Sequence, residues 1–133
     1  MNAQVMFQES DVISSYSRAQ AIEDGVLVDV SGSPEYRELR FRFPIALTRA
    51  VWENFVEVPQ GVFGQDTAGR LWDVLHMLRQ AIRSSSTGDL LMFQLHVRND
   101  NRQGMPPLVT LKSICHPGDH GEPVITIMLP EED

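Results

Sequence analysis

Residues 115–122, Cys115-His116-Pro117-Gly118-Asp119-His120-Gly121-Glu122, place a thiol, two imidazoles and two carboxylates within one short stretch. Zinc accepts these ligand types, which makes Cys115, His116 and His120 the candidate metal ligands. Zinc sites built on loops usually bring a second ligand pair from elsewhere. Here the chain has one cysteine, and its other histidines, His76 and His96, fall on a predicted helix and a predicted strand. The plainer reading of the stretch is a turn with solvated side chains. A Cys115–His116 nucleophile pair fits poorly, because neighbours on a strand point to opposite faces. His116 would take the thiol proton only across a bend, and a buried structural cysteine is the default.

Ser84-Ser85-Ser86 lacks the glycines of a nucleophile elbow. The chain has no Walker loop, no GxGxxG, no HExxH and no paired-cysteine spacing. The residues therefore call for no catalytic group and no cofactor.

The element that must organise everything else is Thr67 to Arg83, TAGRLWDVLHMLRQAIR. Leu71, Val74, Leu75, Leu78 and Ile82 recur at the spacing that stacks side chains on one helix face. Asp66 or Thr67 can cap its first turn. Past Arg83 the run Ser-Ser-Ser-Thr-Gly has no apolar period, so the helix stops before Gly88. Arg79 and Arg83 suit the negative end of the helix dipole. Trp72 falls beyond Leu75 on the helical wheel, beside His76, Arg79 and Arg83. Either Trp72 wedges between this helix and a neighbour, or the four residues form an exposed ridge for a partner or an anionic ligand, since Trp and Arg dominate interface hot spots.

With 133 residues, 42% of them hydrophobic, the chain has enough material for one domain with a real core. No apolar run approaches a membrane span, and the N-terminus reads as no secretory signal. One cysteine fits a reducing cytoplasm. The net charge of −7 is uneven: residues 67–112 hold three acids against six bases, while residues 113–133 hold five acids and no base. The overall field repels phosphate, which argues against a nucleic-acid partner. The chain could instead meet a basic surface, or bind an anion locally on the middle segment; equally, the charge could serve solubility alone. Ten of the eleven bases are Arg, which suits bidentate recognition but also follows from high-GC codon usage.

Along the chain, residues 1–12 read as a flexible lead-in and residues 13–133 as a single domain. Ser14 to Asp24 is a short predicted helix, with Ser17 and Gln20 at capping-box spacing and Gly25 where a left-handed residue is needed. Val26 to Val30 reads as a strand and Ser31 to Pro34 as a turn. Leu39, Phe41 and Phe43 alternate with Arg40 and Arg42, a half-buried strand. Thr48 opens a helix to about Val56. Leu91 to Val97, Leu108 to Cys115 and Val124 to Leu129 are three further strands, the last apolar enough to be covered on both faces. The tail Pro130 to Asp133 reads as a solvated cap that also guards that strand against edge pairing. The expected class is α+β: an antiparallel sheet with a C-terminal meander, packed against the central helix and two shorter ones.

Four blocks taken in order, Val12 to Ser31 (VISSYSRAQAIEDGVLVDVS), Phe43 to Trp52 (FPIALTRAVW), Gly69 to Ile82 (GRLWDVLHMLRQAI) and Gly121 to Asp133 (GEPVITIMLPEED), resemble a family of short uncharacterised proteins carried on bacterial plasmids and phages. The likeness spans most of the chain and departs in the loops 33–40, 58–66 and 99–107. It transfers no activity and no catalytic residue. It implies a cytoplasmic accessory protein of a mobile element and, by analogy with other small acidic proteins of that kind, one that binds a host or defence protein. Tyr16, Ile22, Gly25 and Leu27 also resemble the opening of ADP-ribosyltransferase-like enzymes, which implies an alternative activity on a nucleotide or nucleic acid. No catalytic Glu motif completes that second resemblance.

Overall fold

The computed structural model describes residues 16–85 and 88–133. The lead-in expected over 1–12 and the start of the helix expected at Ser14 lie outside them. Among the described residues four α-helices and five strands follow in chain order: α1 (Arg18–Glu23), β1 (Leu27–Asp29), α2 (Pro34–Glu38), β2 (Ile45–Thr48), α3 (Arg49–Val51), α4 (Thr67–Ser84), β3 (Leu90–His96), β4 (Leu108–Pro117) and β5 (Pro123–Met128).

Helix α4 occupies the predicted span. Asp66 is its N-cap and accepts a hydrogen bond from the Gly69 N–H at 2.5 Å. Leu71, Val74, Leu75 and Leu78 are buried, and Arg83 sits in the last turn, where its charge meets the free carbonyls. Helix α1 begins at the predicted cap: Ser17 Oγ accepts from the Gln20 N–H at 2.9 Å. It ends at Asp24, and Gly25 follows at φ +80°. A side chain at Gly25 would also collide with Arg49, whose Nη2 lies 2.7 Å from where a Cβ would stand.

The strands form one sheet in the order β1-β2-β5-β4-β3. Strands β3, β4 and β5 make the expected antiparallel meander. Strand β1 pairs antiparallel with β2. The sheet is thus mostly antiparallel, as expected, and mixed by one parallel pair, β2 with β5, with Ile45 opposite Ile125 and Leu47 opposite Ile127.

Alternation along the strands gives the sheet two faces. Ile45, Leu47, Phe93, Leu95, Leu111, Ile125 and Ile127 are buried in a single core cluster with Leu71, Val74, Leu75 and Leu78 of α4. Each fully buried side chain of this kind contributes about 1.5–3 kcal/mol. Val124, Thr126 and Met128 are also buried, on the opposite face, so β5 is covered on both sides as its apolar run predicts.

Four local expectations change. Leu39 to Phe43 is a turn rather than a strand, because Arg40 takes φ +59° and breaks the extended backbone. Ser33 and Pro34 open a helix instead of a simple turn: Ser33 Oγ accepts from the Tyr36 N–H at 3.1 Å, and Pro34 fills the first helical position. The strand of this region is Ile45–Thr48, whose last residue caps α3. Helix α3 then widens into a π-helical turn, Trp52–Val56, closed by the Glu57 N–H on the Trp52 carbonyl at 2.8 Å.

The C-terminal tail is tied down rather than solvated. Glu132 Oε1 accepts from Thr48 Oγ1 at 2.8 Å and from the Leu129 N–H at 2.7 Å. Lys112 Nζ donates to the carbonyls of Pro130 and Glu132. Guarding an edge is not its role, since β5 is an interior strand.

Candidate functional site

Trp72, His76, Arg79 and Arg83 lie at i, i+4, i+7 and i+11 on α4, so one helix flank carries all four. Trp72 and His76 stack, ring centroids 6.0 Å apart and planes at 8°. Trp72 is half-buried and packs against the edge of the core cluster. His76 and Arg79 are half-buried and Arg83 is exposed. The Trp72 ring thus seats against the core, and of the four residues only Arg83 is exposed.

Arg79 joins this ridge to the turn after α2. Its Nη1 donates to the Arg40 carbonyl at 3.1 Å, and its guanidinium lies 5.8 Å from the centre of the Phe41 ring. Phe41 stacks on Tyr36 at 5.7 Å, and Tyr36 Oη donates to the Phe43 carbonyl at 2.8 Å. The left-handed Arg40 is what turns Phe41 and Phe43 toward α4 while Arg40 and Arg42 stay exposed. Burial raises the Tyr36 pKa above its ordinary value, with a smaller push from Asp29.

Between this turn, the C-terminal half of α4 and the ends of β3, β4 and β5 lies a cleft of about 420 Å³. Phe41, Phe43, Ile82, Leu91 and Ile125 give it apolar walls, and Arg42, Arg79, Asp89, Ser113 and Cys115 supply its polar groups. This is an apolar pocket with a few oriented polar groups, the composition of small-group binding sites. Cys115 is half-buried here, and burial, followed by the Asp89 charge, pushes its thiol up. A thiol held protonated is a poor nucleophile.

His116 points to the other face of the sheet, as strand alternation requires. Its Nε2 meets Thr126 Oγ1 at 2.8 Å. Arg18 Nη1 donates to the same hydroxyl at 2.8 Å, and its Nη2 to the Ile125 carbonyl at 2.8 Å. Asp119 accepts from the N–H groups of Arg18 at 2.7 Å and Ala19 at 3.0 Å. Those two bonds hold its carboxyl below its ordinary pKa. Glu122 Oε1 accepts from the His120 N–H at 2.8 Å. The stretch expected to be a turn with solvated side chains is thus a clamp that docks α1 on the sheet. Cys115, His116 and His120 are not brought together. Among the described residues, no group of three His, Cys, Asp or Glu side chains is placed to hold a metal ion.

Sequence reasoning missed Arg70. Although charged, it is 4% exposed. Its Nε donates to the Val56 carbonyl at 3.1 Å, Nη1 to the Arg98 carbonyl at 2.5 Å and Nη2 to Asn99 Oδ1 at 2.6 Å. It pins the π-helical turn and the end of β3 to the first turns of α4. Burial lowers its pKa, with Asp73 opposing. The signal was present, since Arg70 shares the helix face of Val74. Tyr16, Ile22, Gly25 and Leu27 fall around α1: Tyr16 Oη donates to Asp24 at 2.9 Å, and Leu27 belongs to β1.

Fold and site together define a single α+β sheet-and-helix unit with an aromatic and basic helix flank beside an apolar cleft. The chain belongs to the family of unknown function DUF6573, whose family model matches residues 1–133. No curated protein and no solved structure matches it. No helix among the described residues is long and apolar enough to cross a membrane.

Proposed function

We propose that the protein is a non-enzymatic accessory protein of a bacterial mobile element, working in the cytoplasm by binding a host or defence protein through the α4 ridge and its adjoining cleft. The observation that carries this reading is the placement of Arg79. It belongs to the ridge with Trp72, His76 and Arg83 and also lines the cleft beside Phe41. A partner segment with an apolar anchor and flanking carboxylates matches that surface: the anchor fills the space between Phe41, Phe43 and Ile82, and the carboxylates meet Arg42, Arg79 and Arg83. Buried anchors with a polar rim are how protein interfaces concentrate their energy. The local excess of bases in residues 67–112 of an otherwise acidic chain favours an acidic partner surface.

The test is affinity capture from bacterial lysate with the natural protein and the Arg83→Glu variant side by side, both shown to be folded by circular dichroism. A partner held by the natural protein and lost by Arg83→Glu supports the reading. Equal recovery by both sinks it.

A further inference from the structure

Among the described residues strand β3 is an open edge of the sheet, and we propose that a second copy of this chain pairs with it. The proposal concerns a surface separate from the α4 ridge.

The direction of the backbone groups comes first. In the β3–β4 ladder the Cys115 N–H donates to the Asp89 carbonyl at 2.8 Å and the Val97 N–H to the Pro107 carbonyl at 3.0 Å. Directly opposite residues in an antiparallel pair alternate between hydrogen-bonded and non-hydrogen-bonded. The odd-numbered residues of β3 therefore spend their backbone groups on β4. Leu90, Met92, Gln94 and His96 point theirs at the open edge.

That edge carries none of the usual protections. Leu90–His96, LLMFQLH, has no proline and no Lys, Arg, Asp or Glu in a chain of net charge −7. By contrast β1, at the other end of the sheet order, is three residues long. Leu90 and Met92 are exposed, as is Leu108, opposite His96 on β4.

Above the edge, Met77, Gln80, Ala81 and Ser84 of α4 line a groove of about 470 Å³ with Met92 and Gln94. These helix residues recur at i, i+3, i+4 and i+7, uncharged throughout, on the flank of α4 away from the Arg79–Arg83 ridge.

Self-pairing satisfies this edge in one register. A two-fold axis through Phe93 sets Leu90 against His96 and Met92 against Gln94 of the other copy, which joins all four outward-pointing residues of each copy in hydrogen-bonded pairs. Phe93 then meets its own counterpart, and the uncharged α4 flanks approach each other over the axis. No like charges stand opposite one another.

The test is the solution mass of the full chain by light scattering across a concentration series. The natural protein should approach twice its 15.0 kDa chain mass. Gln94→Pro removes an outward N–H without touching the β3–β4 ladder, and it should give a monomer with unchanged circular dichroism. Should that variant fail to fold, a charge pair decides. Met92→Glu with Gln94→Glu sets acid against acid across the axis, while Met92→Glu with Gln94→Lys sets acid against base. Since Met92 lies opposite Lys112 within the monomer, Met92→Glu is tolerated there. The first double variant should be monomeric and the second dimeric. A natural protein that stays monomeric throughout, a dimer indifferent to the acid–acid variant, or a failure of the acid–base variant to dimerise would each overturn the proposal.

Discussion

Asp119 caps a helix that begins 101 positions earlier: its Oδ1 accepts the Arg18 N–H at 2.7 Å. The hairpin between β4 and β5 thereby fixes α1 on the sheet, and the Arg18 side chain returns the contact through Thr126 and Ile125.

This carboxyl titrates below its ordinary value because the charged form accepts two backbone N–H groups, from Arg18 and Ala19. A lowered acid stabilises the fold at pH values above its unfolded pKa and loses that contribution as pH falls through the folded one. Asp119→Asn should therefore lower the melting temperature at neutral pH, and the gap to the natural protein should close in acid. Thermal melts across an acid series check this, and a pH-independent gap would contradict it.

Arg70 predicts a larger effect. Arg70→Met would leave the Val56 and Arg98 carbonyls and Asn99 Oδ1 without their donor, at a cost of about 2–4 kcal/mol. Arg70→Lys should recover only part of this, because an ammonium cannot span three acceptors placed for a planar fork. Urea unfolding measures both. A loss below about 0.5 kcal/mol for Arg70→Met, the size of an ordinary surface change, would show that the bonds count for little.

Cys115 should alkylate slowly. Burial and the Asp89 charge both raise its thiol pKa, and the thiolate is the reactive form. Iodoacetamide labelling followed against pH should reach half its maximum rate at a higher pH than a free cysteine does, and Asp89→Asn should shift that midpoint downward. A midpoint below the ordinary thiol range would contradict the assignment.

The ridge should separate stability from binding. Arg83 is exposed at the end of α4, where only the helix dipole favours its charge, so Arg83→Glu should change stability by no more than about 1 kcal/mol. Trp72 packs against the core cluster while half-buried, so Trp72→Ala should cost about 2 kcal/mol, roughly half the figure for a fully buried ring. Chemical denaturation of the two variants distinguishes them, and equal losses would place both side chains in one environment.

The central helix, its cap, the C-terminal meander and the doubly covered β5 were legible because local periodicity and capping chemistry decide them. Leu39 to Phe43 misled because its alternation is that of a strand; the left-handed Arg40 instead rolls both aromatic rings toward α4. Strand β2 was hidden by its length, four residues between a proline and a helix cap. The parallel β2–β5 pairing rests on contacts about 80 residues apart, which no local pattern encodes. The four ridge residues could be grouped from the helix wheel alone. The cleft beside them could not, since Phe41, Cys115 and Ile125 meet only in three dimensions. His116 and Asp119 stood out as polar turn residues, but their partners Thr126 and Arg18 belong to other elements.

The most direct measurement of the binding surface is site-specific photocrosslinking in bacterial cells. A photoreactive amino acid replaces His76, at the centre of the α4 ridge, or Glu23, exposed on α1. A discrete protein adduct at position 76, absent at position 23 and lost when Arg83→Glu is added, is the predicted result. An adduct at position 23 alone, or adducts at position 76 that Arg83→Glu leaves unchanged, would contradict the account.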